Sequence, residues 1–173
     1  MHKKVKLLAV ILITFVGIAA YGKMTLSSKD QLLAEASCKN TMLTLGKRLQ
    51  LYAYDHNGQL PMESGDTWVI TAAKYITPPD ILFCPFDKSG KQDLAQARKA
   101  CAQIGQDNTQ QIITYMIRKK QRLTSYVMPK AVAGAKLDKL PSNAVLLQEE
   151  DIVHNNRSHR LSMDGKIKLK PNR

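Results

Sequence analysis

Three observations predict an α+β fold for this 173-residue chain. A helical apolar repeat runs from Ser28 to Asp55, strand-like runs cluster from Ile112 onward, and residues around Asp164-Gly165 alternate apolar and basic on both sides of a turn. Helices first and strands later argue for segregated layers, a long helix on a small antiparallel sheet, rather than alternating βα units.

The helix comes first. Cys38, Met42, Leu45, Leu49 and Tyr52 recur at steps of four and three, which puts them on one face. Ser28 with Gln31 three residues on has the spacing of a capping box. Asp55-His56-Asn57-Gly58 supplies residues that tolerate a left-handed exit, and Pro61 prevents resumption. The long helix is therefore expected over 28–57, with an α+β head over 58–173.

Trp68 to Tyr75 reads as a short helix stopped by Pro78-Pro79, and Ile81 to Pro85 as a brief extended run. Asp93 to Ile104 reads as a second amphipathic helix with Leu94, Ala97, Cys101 and Ile104 on one face. A polar loop is expected from Gln103 to Gln111. Strands are expected at Ile112–Ile117, Ser125–Met128 and Ala144–Gln148, the last ending in an acidic Glu149-Glu150-Asp151 turn. Tyr52, Trp68 and Tyr75, beside leucines at helical spacing, are expected in the core.

The last element is a hairpin. Leu161 and Met163 alternate with Arg160 and Ser162 before Asp164-Gly165, and Ile167 and Leu169 alternate with Lys166, Lys168 and Lys170 after it. A two-residue turn would set Met163 opposite Lys166. A three-residue or bulged turn sets Met163 opposite Ile167 and Leu161 opposite Leu169, and is the one predicted.

The N-terminus differs in kind. Lys3, Lys4 and Lys6 precede an uncharged stretch from Leu7 to Gly22. Residues 1–22 are expected to be a transmembrane anchor or uncleaved signal, with the lysines on the cytoplasmic side and residues 23–173 outside it. Ala20-Tyr21-Gly22 also offers a small-x-small cleavage site. Cys38, Cys84 and Cys101 then meet a compartment where disulfides form. Cys38 with Cys84, Cys84 with Cys101, and buried free thiols are the alternatives.

A formal charge of +12 reads first as a solvated basic surface, and alternatively as suiting an anionic partner, nucleic acid or an envelope polymer, bound without sequence preference. Arg118, Lys119, Lys120 and Arg122 form one basic patch, and no interleaved aromatics support base stacking. Asp151, His154, His159 and Asp164, with Glu149 and Glu150 nearby, could hold a cation. Hydrogen bonding of Asp164 to its own turn is the favoured reading, and no metal or other cofactor is expected. Cys84 with His154 has the residue types of a thiol nucleophile and base, but nothing in the sequence activates the thiol, and no enzyme is expected.

Taken in order, several blocks resemble a known family. Cys38 to Pro61 is similar to its helix and asparagine-glycine exit, and Trp68 with Tyr75 to its next short helix. Cys84-Pro85-Phe86-Asp87 resembles its cysteine-proline-x-aspartate element, Ser125-Tyr126 its serine-tyrosine strand, and His154, Asp164 and Gly165 its His-x9-Asp-Gly motif. The family is the type II secretion pseudopilins and pilin-like proteins with the prepilin-processing-associated C-terminal domain. The resemblance implies a pilin-like fold and a non-catalytic structural or accessory role in a secretion or pilus-like assembly. It also implies other pilin-like subunits as partners, residence in the bacterial inner membrane, and calcium as the leading ion if one binds. The apolar segment lacks the family's glycine-phenylalanine junction and following glutamate, which favours a plain membrane-anchored or secreted relative. The alternative is an extracytoplasmic binding module that holds DNA or anionic glycans on its basic patches.

Overall fold

The computed structural model describes residues 28–105, 108–150 and 157–171. Helix α1 spans Ser28–Asp55. Compact units divide the chain into Met1–Glu35 and Ala36–Arg173. Of the first unit, residues 28–35 are described, all helical, with Leu32 and Leu33 exposed. The expected membrane segment, and the Ser28 and Gln31 side chains of the expected cap, lie outside what is described. No helix among the described residues is long and apolar enough to cross a membrane.

In the second unit, the α1 stripe of Cys38, Met42, Leu45, Leu49 and Tyr52 is buried together with Ala53. The helix ends at Asp55, two residues before the expected limit, because Asn57 and Gly58 take positive φ of 55° and 81°. The Gly58 amide caps the carbonyl of Ala53 at 2.7 Å. Helix α2, Trp68–Thr71, continues into a 3-10 turn at Ala73–Tyr75. Trp68 and Tyr75 are buried.

Several readings are corrected by the structure. Residues Pro79–Leu82 form a 3-10 turn, and Phe83 directly after it is extended. The second amphipathic helix, α3, spans Lys88–Gln103 and starts five residues before the expected Asp93, because the Asp87 side chain caps it. Residues Ile112–Ile117 are helical, inside α4, Thr109–Arg118. The Asn108 carboxamide accepts from the Gln111 amide at 3.0 Å, and Ile112, Ile113 and Met116 are buried at helical spacing. A short β-branched run read as a strand here because its length does not discriminate the two periods. The expected loop from Gln103 to Gln111 thus ends at Asn108.

The strands are β1 (Tyr126–Val127), β2 (Val145–Glu149), β3 (Arg157–Ser162) and β4 (Ile167–Pro171), antiparallel in the order β1-β2-β3-β4. Glu149 belongs to β2 rather than to an acidic turn. The hairpin loop is Met163-Asp164-Gly165, closed by the Ser162 amide on the Lys166 carbonyl at 3.0 Å, with Gly165 at φ 75°. The loop has three residues, but the register differs from expectation: Leu161 faces Ile167, and His159 faces Leu169. The turn closes one residue earlier than expected, so every pair moves by two and each side chain keeps its face. Gly46 of α1 lies against the Leu161 side chain, where a Cβ would crowd it. That contact seats the helix on β3.

Cys38 of α1 is bonded to Cys84, with Cα atoms 5.2 Å apart and a sequence separation of 46. A loop of that length gives about 4 kcal/mol in the chain-entropy description. Replacing both residues with alanine is expected to lower the unfolding free energy by about 3 to 4 kcal/mol, measured by urea titration. At Gly90, in the first turn of α3, a Cβ would collide with the Phe83 ring and stand 2.8 Å from Asp87 Oδ2. Gly90→Ala is expected to cost about 1 to 3 kcal/mol in the same titration, despite alanine's better helix propensity.

Candidate functional site

The densest polar constellation in the interior gathers around Asp87. Its Oδ1 accepts from the Gly90 amide at 2.9 Å and the Ser89 hydroxyl at 3.0 Å. Its Oδ2 accepts from the Ser125 hydroxyl at 2.6 Å and pairs with the Arg122 guanidinium. The Cys84 amide donates to Ser125 Oγ at 3.0 Å, and the backbone of Ser125 bonds Leu82 and Glu150. Trp68 Nε1 donates to the Tyr126 carbonyl at 2.9 Å. One carboxylate therefore joins the start of α3, the disulfide loop and the entry to β1.

Burial pushes the Asp87 carboxyl upward, but the hydrogen bonds from Ser125, Gly90 and Ser89 and the charge of Arg122 together outweigh it. The result lies below the ordinary aspartate range. Burial, followed by the charge of Glu149, drives the Tyr126 phenol far above its usual value, so it stays neutral.

A second buried pair flanks the disulfide. The side chains of Glu149 and His159 are both wholly removed from solvent, with Nδ1 2.9 Å from Oε2. The His159 amide donates to the same oxygen at 2.8 Å. An ionised carboxylate only accepts, so with Glu149 ionised Nδ1 is the donor toward it. A Glu149 carboxylate oxygen and the sulfurs of Cys38 and Cys84 lie within 4.8 Å of one another. The sulfurs are spent on each other, so they offer no thiolate to a metal or a substrate. Cys101 is buried and takes no part in the disulfide.

Several candidate residues are thus located. Asp164 serves its own turn: Oδ1 accepts from Ser162 Oγ at 2.5 Å and the Lys166 amide at 3.2 Å, and Oδ2 pairs with Lys166 Nζ at 2.8 Å. Those bonds, the one from Lys166 first, hold its carboxyl well below the usual range. Gly165 supplies the positive φ that the turn requires. His154 and Asp151 lie outside the described residues. The structure separates His159 from Asp164, burying the first with Glu149. The basic patch divides too: Arg118, Lys119 and Lys120 are exposed, whereas Arg122 turns inward to Asp87. Sequence reasoning missed the Glu149–His159 pair. The available signal was parity, because His159 shares the inward phase of Leu161 along β3.

No family model, curated protein or solved structure matches the chain.

Chemically, these arrangements hold groups in place rather than activate them. Asp87 is acceptor to every neighbour around it, and the disulfide sulfurs are 0% exposed. Because the Asp87 carboxyl is depressed in the fold, its stabilisation is complete above the unfolded value of about 4 and is lost as pH falls through the folded one. Asp87→Asn is therefore expected to lower the melting temperature at pH 7 and to flatten its fall between pH 5 and pH 2, followed by circular dichroism. An acid limb as steep as that of the parent would assign the titration to other groups.

Proposed function

We propose that this chain is a non-catalytic, pseudopilin-like structural or accessory component of a type II secretion or pilus-like assembly in a bacterial envelope. The observation that carries this reading is convergence. Cys38, Trp68, the Cys84-Pro85-x-Asp87 element and Ser125-Tyr126, the blocks that resemble the family, are far apart in sequence. They meet through the disulfide, the Trp68–Tyr126 bond and the Asp87–Ser125 bond. Their meeting at one buried junction supports reading them as parts of a single pattern. A long helix beside a four-stranded antiparallel sheet is consistent with it, and a buried disulfide suits a body outside the cytoplasm.

In this reading residues 1–22 anchor the chain in the inner membrane, and α1 offers a contact surface to other pilin-like subunits. Tyr54 is 84% exposed and Leu51 is 46% exposed on that helix, apolar area outside the buried stripe. The test is the intact mass and N-terminus of the protein from the membrane fraction, followed by photocrosslinking from position 54. An uncut chain that crosslinks to pilin-like subunits is the expected result. A soluble product beginning near Tyr21 or Lys23, without crosslinks, would overturn it and favour an extracytoplasmic module binding anionic polymers.

A further inference from the structure

The outer part of the sheet carries an arrangement that neither the turn nor the core explains. Arg160 of β3 stands directly opposite Lys168 of β4, and the neighbouring pair on the same face is Ser158 with Lys170. Like charges set directly across an antiparallel pair are destabilising, and a carboxylate at either position would relieve them. Arg160, Lys168 and Lys170 instead line one cleft of about 280 Å³ together with Asn143 and Ser162, and most of its lining is apolar, with Val145 and Leu169 among the residues that form it. No Asp or Glu lines it among the described residues. The carboxylate nearest in sequence, Asp164, is occupied by Lys166 and Ser162.

Arg160 sharpens the point. Its Nε is shielded from solvent yet has no hydrogen-bond partner among the described residues. Leaving that donor unmet is costly, and because the atom is sealed, an anion entering the cleft would be met by the other N–H groups of the guanidinium. Guanidinium presents its N–H groups as a planar fork that matches two oxygens of a phosphate or sulfate, and ammonium groups add point charge beside it.

We infer that the cleft framed by Arg160, Lys168, Lys170 and Asn143 binds a tetrahedral oxyanion, a phosphate or sulfate group. Arg160 supplies the directional donors, the lysines neutralise its charge, and Asn143 provides an uncharged polar group at the rim. The opposed cations then cost stability in the empty state and recover it on binding, as at other sites where function opposes stability. The inference stands apart from the assembly role proposed above, because it concerns only residues of the sheet and the segment entering β2.

The experiment is calorimetric titration of the full-length protein in neutral detergent with inorganic phosphate and with sulfate, against chloride at matched ionic strength. Melting temperatures are recorded in parallel. Saturable binding of either oxyanion is expected, and the arms show which one the cleft prefers. Lys168→Gln is expected to weaken binding about tenfold or more, the loss of one charge-assisted hydrogen bond, while its melting temperature in chloride equals or exceeds the parent's. Arg160→Gln should abolish binding, and Lys119→Gln, outside the cleft, should leave it unchanged. Sulfate and phosphate stabilise folded proteins generally by exclusion, so the decisive quantity is the increment that Lys168→Gln loses. Equal increments in parent and variant, or no heat above the chloride control, would overturn the site.

Discussion

The structure depends first on a carboxylate kept inside it. Asp87 would be costly to bury alone, since an isolated charge in a low-dielectric interior has no compensation. Here α3 offers an unsatisfied amide at its first turn, and the segment leading into β1 offers the Ser125 hydroxyl and the Arg122 guanidinium. Each of those groups is itself in need of an acceptor. The arrangement is reciprocal, and removing the carboxylate strands several donors at once. Gly90 is part of the same solution, because only a residue without a side chain lets the Phe83 ring and the Asp87 cap approach the turn together.

The disulfide and the Asp87 cluster reinforce each other through adjacent residues. Cys84 is fixed covalently to α1 and by its amide to Ser125, which in turn donates to Asp87. Covalent and hydrogen-bonded constraints act on one short segment, Cys84–Asp87, from opposite sides. The consequence is a rigid corner between the long helix and the sheet, and the Glu149–His159 pair continues it into β2 and β3.

The long helix was legible because its apolar residues repeat over many turns, far longer than any strand could run. The Ile112–Met116 segment was not, because one turn of helix and one short strand present the same apolar content. The start of α3 was missed for a local reason, since the Asp87 cap precedes a polar first turn that carries no periodic signal. In the hairpin, parity gave the odd loop length, but the register depended on where the turn begins, which Asp164 and Ser162 decide by their own hydrogen bonds. Least legible were contacts between distant residues. Nothing local tells Glu149 that it will meet His159, or Arg122 that it will turn inward rather than join Lys119 and Lys120 on the surface.

Strand β4 closes the order of the sheet and so leaves one row of backbone groups beyond it without a strand partner among the described residues. Its lysines, exposed at 168 and 170, make that border a poor template for another chain, because a docking strand would have to accept two ammonium groups along its length. Growth by sheet continuation, the route to fibrils, is discouraged at this border. Ordered assembly of copies would meet less electrostatic resistance on helical surfaces than at this charged border.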